Sequence, residues 1–153
     1  MFAELDGIDE VDLNIIKFLQ EDGRMSYREI ADQIGVAERT VRLRVAQLRN
    51  NDILQIVGVV NPIQVGLKMV AAIQISVAPQ QLNTCIETLQ EMPEVRFVAL
   101  TSGEYHLMVE VVSRSHEELG DFIQNRLNRI TGVEKTNVIM ELKILKNQFK
   151  FVR

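Results

Sequence analysis

The sequence predicts an α+β fold in two parts: three helices, then a sheet with helices on one side. Three observations predict it. Apolar residues recur at helical spacing through residues 1–52. After residue 52 the period shortens toward that of strands. From Val70 onward the order reads strand, helix, strand, twice over. The composition agrees, with 46% hydrophobic and 25% charged residues in 153. Those values are ordinary for a globular chain and exclude a disordered, collagen-like or low-complexity one.

The elements follow in order. Val11, Ile15, Phe18 and Leu19 space out a first helix, with Asp6 or Asp9 placed to cap it and Gly23 to end it. Ser26-Tyr27-Arg28-Glu29 is a capping box, so a second helix begins there and carries Ile30, Ala31 and Ile34 as far as Gly35. A third helix starts near Ala37 and buries Val41, Val45 and Leu48. Helix, glycine turn, helix is the helix-turn-helix pattern.

Gln55 to Val60 reads as a strand, followed by a connector marked by Asn61-Pro62 and Gly66. Val70 to Val77 is the next strand. Pro79 opens a helix with Leu82, Cys85, Ile86 and Leu89 along one stripe, and Pro93 stops it. Val95 to Thr101 and Tyr105 to Val112 are strands joined through Ser102-Gly103-Glu104. Ser115-His116-Glu117-Glu118 is a second capping box; its helix runs through Leu119, Phe122, Ile123, Leu127 and Ile130 to Thr131-Gly132. Val138, Met140, Leu142 and Ile144 alternate along a last strand. The resulting βαββαβ order is ferredoxin-like. One face of such a sheet is left without helices, and it carries apolar residues whichever face it is, since strands here are apolar on both sides (Val109 and Val111 against Met108 and Val112). An exposed apolar sheet predicts a symmetric dimer with sheets face to face.

The predicted divisions are residues 1–52, a hinge strand and linker at 53–68, and the sheet domain at 69–153. One cysteine, Cys85, excludes an intrachain disulfide framework and a multi-cysteine zinc site. No secretory signal and no bilayer-spanning run is evident, so a cytoplasmic protein without a membrane partner is expected. No nucleophile-base set, phosphate-binding loop or metal-ligand cluster is apparent, so neither catalytic residues nor cofactors are predicted.

Charge is distributed unevenly. Residues 1–52 carry 7 Lys/Arg against 11 Asp/Glu, yet Arg39 to Asn50 holds four arginines and no acid. A cationic strip on an otherwise anionic segment is a local asymmetry that calls for an explanation.

These residues together resemble the Lrp/AsnC family of transcription regulators over nearly the whole chain. The resemblance rests on Asp6, Asp9, Asp12, Ile15-Ile16 and Leu19, on Gln20-Glu21-Asp22-Gly23-Arg24, and on Ser26, Glu29-Ile30-Ala31 and Ile34-Gly35-Val36. It continues through Thr40-Val41, Arg44-Val45, Leu48, Ile53, Asn61-Pro62 and Gly66, and more loosely through Gly103, Tyr105 and Gly132-Val133. Three positions depart from the family pattern: Ala37 where it has Ser, Asp52 where it has Gly, and His106 where its G-x-Y-D turn has Asp.

The resemblance implies a winged-helix-like DNA-binding domain whose third helix reads double-stranded DNA. Glu38, Arg39 and Arg42 would lie near base edges, where Arg pairs with guanine, with Thr40 among the DNA-binding residues of the same helix. Arg44 and Arg49 would contact phosphates, as would Tyr27 and Arg28 at the start of the second helix. A solvated arginine face is the competing reading. The resemblance also implies an effector, typically an amino acid, bound between dimers at Ser102, Gly103, Glu104, Tyr105 and His106. There Ser102 and Gly103 would offer N–H groups and Glu104 an anion. It further implies dimers that assemble to higher oligomers, often octamers. Two alternatives stand beside this regulator: an effector-independent protein that compacts DNA, and a small-molecule enzyme on the ferredoxin-like half, against which the two unpartnered histidines speak.

Overall fold

A computed structural model describes residues 7–146 and 150–152. Asp6, one of the two capping candidates, lies outside the described residues. The chain forms two compact units, Met1–Val59 with Lys146–Arg153, and Val60–Leu145.

In the helical unit, α1 (Glu10–Glu21) starts at a reciprocal cap. Asp9 accepts from the Asp12 N–H at 3.0 Å, and Asp12 accepts from the Asp9 N–H at 3.2 Å. α2 (Tyr27–Ile34) is held by the predicted box of Ser26 and Glu29 and leaves through Gly35 at φ 74°. Glycine adopts that left-handed turn without the steric cost that a Cβ brings. α3 (Glu38–Asn50) has no side-chain cap, because its N-cap is Ala37. Ile15, Ile30, Val41, Val45 and Leu48 fill the core between the three helices. Burying each such side chain contributes about 1.5–3 kcal/mol. Asp52, standing where the resembled family has glycine, adopts φ 55°, so the backbone there keeps a glycine-like conformation with a residue that tolerates it.

The expected strand at Gln55–Val60 does not form: those residues join no sheet, and Val57, Val59 and Val60 are exposed. A strand needs a neighbour for its N–H and C=O groups, and the described residues offer none there.

The second unit is one sheet with helices on one face. Its strands are β1 (Met69–Val77), β2 (Val95–Leu100), β3 (Leu107–Ser113) and β4 (Val133–Met140), in the order β2-β3-β1-β4. Every neighbouring pair is antiparallel. This is the predicted ferredoxin-like arrangement. Ala71, Ile73, Ile75 and Val77 alternate inward with Leu107, Val109 and Val111. Cys85 and Leu89 of α4 (Leu82–Gln90) and Leu119 of α5 (His116–Asp121) close over them.

Three boundaries differ from expectation. Pro79–Gln81 is a separate 3-10 turn before α4. The helix after Ser115 is not uniform: beyond α5 it widens to a π turn at Phe122–Arg126 and tightens to a 3-10 turn at Leu127–Arg129. The last strand ends at Met140, so Leu142 and Ile144 lie outside it, Leu142 being 96% exposed. Alternation continues in the sequence there, but the register of β4 with β1 runs out at Ala71–Met140, followed by a last bond from the Glu141 N–H to the Val70 carbonyl near the start of β1. On the bare face of the sheet Met108 and Val112 are half-buried, and Phe97 and Ile139 are exposed.

Candidate nucleic-acid interface and effector loop

α3 is the second helix of the helix-turn-helix pair and divides its residues by angle. Val41, Val45 and Leu48 face the core. At about 100° per residue, Arg39, Arg42 and Arg49 fall within about 80° of one another, outside the buried stripe. All three are exposed, as are Glu38 at the start of the helix and Arg28 on α2, while Thr40 is half-buried. Arg42 donates to Glu38 Oε1 at 2.7 Å, and its guanidinium lies 5.4 Å from the Tyr27 ring centroid. An exposed (i, i+4) pair of this kind is worth only about 0.3–0.5 kcal/mol. A bidentate guanine contact, about 1–3 kcal/mol, is enough to displace it. The half-buried Tyr27 packs against the helical core with the Arg42 guanidinium over its ring.

Arg44 departs from its expected role as a phosphate contact. Its guanidinium pairs with Asp12 at 3.0 Å and Asp9 at 2.8 Å, and Asp12 is buried. The N–H of Asp12 and then the Arg44 charge hold the Asp9 carboxyl below its usual range. Arg44 therefore fastens α3 to the start of α1. Arg44 and Arg49 each stand about 40° from the buried stripe of α3, so helical position alone does not separate them; the contact with Asp9 and Asp12 does.

The loop between β2 and β3 holds the five effector candidates. Ser102, Gly103 and Glu104 are exposed, and Tyr105 and His106 are half-buried. Gly103 has φ 108°, a conformation that favours glycine. Gln74, Leu100, Thr101, Ser102, Glu104 and Tyr105 line a cavity of about 570 Å³.

Two expectations change here. Glu104 is not an unoccupied anion: it pairs with Lys135 of β4 at 3.1 Å and raises the Lys135 pKa. His106 is turned into the sheet, where Nδ1 accepts the Val77 N–H at 3.0 Å. That bond satisfies a backbone donor where the β1–β4 register shifts between Ser76 and Val77. His106 is thus a strand fastener, and sequence reasoning missed Lys135, which lies 31 residues from Glu104. A second cleft of about 690 Å³, which the sequence did not announce, lies beside Glu94, Arg114, Glu118 and Arg126. Three of its charged side chains are already engaged, as Arg126 pairs with Glu94 and the Glu118 carboxylate accepts the backbone N–H of Arg114. No helix among the described residues is long and apolar enough to cross a membrane.

Comparison with known proteins bears directly on this arrangement. Residues 8–49 match the AsnC-type helix-turn-helix domain, and residues 70–151 match the Lrp/AsnC ligand binding domain. An HTH-type transcriptional regulator of Pyrococcus furiosus, itself uncharacterized, is 38% identical over 130 residues, 84% of this chain and 88% of that protein. The HTH-type transcriptional regulator LrpA of Pyrococcus horikoshii is 34% identical over 140 residues, 91% of this chain and 99% of that one. The structure of AsnC from E. coli superposes with a TM-score of 0.85 at 25% identity, covering 92% of this chain and 96% of that chain. With both domain types present in the order in which the two units fold, the chain belongs to the Lrp/AsnC family of transcription regulators.

Proposed function

We propose that α3 enters the major groove of a duplex operator and that Arg39 and Arg42 read base edges there. Arg49, Arg28 and the hydroxyl end of Tyr27 hold the phosphates, which position without specifying. One observation carries this reading: three arginines share the exposed face of the second helix of a helix-turn-helix pair. The protein works in the cytoplasm, where duplex DNA is, as a non-enzymatic binder. A single such unit reads few base pairs, so two copies give affinity and register. The bare apolar sheet face and the exposed Val57, Val59 and Val60 are the surfaces that a second copy covers. Higher assembly, up to an octamer, builds on that dimer.

The ligand unit takes a small α-amino acid at the Ser102–His106 loop. A transcriptional regulator of Neisseria meningitidis with the same fold, TM-score 0.85 at 23% identity, was crystallised as a complex with L-Met. In the present chain Glu104 and Lys135 stand side by side with opposite charge, both about two-thirds exposed. An amino acid is the matching zwitterion: its ammonium suits Glu104 and its carboxylate suits Lys135 and the N–H groups of Ser102 and Gly103. His106, held by Val77, takes no part.

Selection from random duplexes, with and without an amino-acid mixture, tests both halves. The expected result is one enriched sequence whose binding falls steeply with salt and at least tenfold in Arg42→Ala. Equal binding by parent and Arg42→Ala at all salts overturns the reading of α3. Enrichment untouched by every amino acid overturns the effector and favours the DNA-compacting alternative.

A further inference from the structure

Gln20, near the end of α1, holds the other end of the chain. Its Nε2 donates to the Val152 carbonyl at 3.1 Å. Its Oε1 accepts the N–H of Phe151 at 2.6 Å and that of Val152 at 3.3 Å. Beside it, Glu21 pairs with Lys150 at 2.5 Å. Val152 is half-buried against the apolar core of the helical unit. A side-chain amide that both donates to and accepts from one stretch of backbone grips it as a neighbouring strand does. The grip joins residues 132 positions apart, so no local preference creates it.

α1 is also the helix that fixes α3. Its start holds Arg44 through Asp9 and Asp12, and its end holds the tail. We propose that Gln20 is a positioning residue for DNA binding. The docked tail is a strap that steadies α1, and through Arg44 sets α3 in the geometry that grips a duplex. The proposal rests on α3 being the recognition helix. The tail is covalently tied, so its effective concentration is on the order of millimolar. A contact of a few hydrogen bonds and one valine is then mostly made yet readily released.

The test uses the full-length chain with two uncharged changes, Gln20→Ala and Val152→Ser, and Gln20→Glu as the conservative variant. Duplex affinity is measured against salt, and hydrogen exchange is followed along the helices. Gln20→Ala and Val152→Ser are expected to bind at least fivefold more weakly with an unchanged salt slope, because no phosphate contact is lost. Gln20→Glu, which keeps the acceptor and loses the donor, falls between. Amides of α1 near Phe18–Glu21 exchange faster, while those of α2 and the sheet unit keep their protection. Affinity within twofold of the parent in both uncharged variants overturns the strap. So does a uniform loss of protection through α2 and α3, which would make Gln20 a general stabiliser. A parent that binds no duplex overturns instead the reading of α3 beneath it.

Discussion

Replacing Arg44 by alanine separates a structural arginine from a DNA-binding one. The guanidinium reaches Asp12, whose side chain is only 4% exposed, and Arg44 itself is 32% exposed. Breaking a buried ion pair by removing one member costs about 3–5 kcal/mol, since the other charge is left stranded. Asp12 keeps one further bond, from the Asp9 N–H at 3.2 Å, and some water reaches the site past Arg44. Those two features bring the expected cost down to about 2–3 kcal/mol. For a domain of this size that is a fall of about 10–20 °C in Tm. Thermal and urea unfolding followed by circular dichroism measures it. Asp12→Asn with Arg44→Leu leaves no stranded charge and should recover part of the loss. Two results together would refute the reasoning. One is Arg44→Ala with stability within about 0.5 kcal/mol of the parent. The other is a duplex-binding salt slope reduced by about one, the mark of a lost phosphate contact.

Gly132 sits at φ 93°, and a Cβ there would lie 2.3 Å from Gln81 Cβ, so Gly132→Ala should cost at least about 2 kcal/mol in urea denaturation; a neutral substitution contradicts that packing. Asp9 and Glu29 are held below their ordinary values of 3.8 and 4.5, Asp9 first by the Asp12 N–H and Glu29 first by the Ser26 hydroxyl. Their contribution to stability is full above those values and is lost as pH falls below them, because the unfolded chain then binds more protons. The Tm of the helical unit should therefore hold near neutrality and drop from about pH 4.5 downward, with the drop reduced in Asp9→Asn/Glu29→Gln. Cys85 is fully buried, and burial raises its thiol pKa, so a thiol reagent should react at the rate of unfolding; reaction faster than unfolding would place the thiol at the surface.

What the sequence determined on its own is local. Ser26 and Glu29 are three residues apart, and the energy of their cap is decided within one helical turn. The stripe of Val41, Val45 and Leu48 and the repeat of strand, helix, strand follow from periods of about 3.6 and 2, which need only neighbours in the chain. What only the tertiary structure decided involves residues brought together from far apart. Gln55–Val60 has the pattern of a strand but finds no pairing neighbour among the described residues. Arg44 meets Asp12 across 32 residues, Val77 meets His106 across 29, and Gln20 meets Phe151 across 131. Each of these groups has several possible hydrogen-bonding mates in the sequence. Choosing among them requires knowing which donors and acceptors folding removes from water, and that is a property of the packed molecule, not of any stretch of chain.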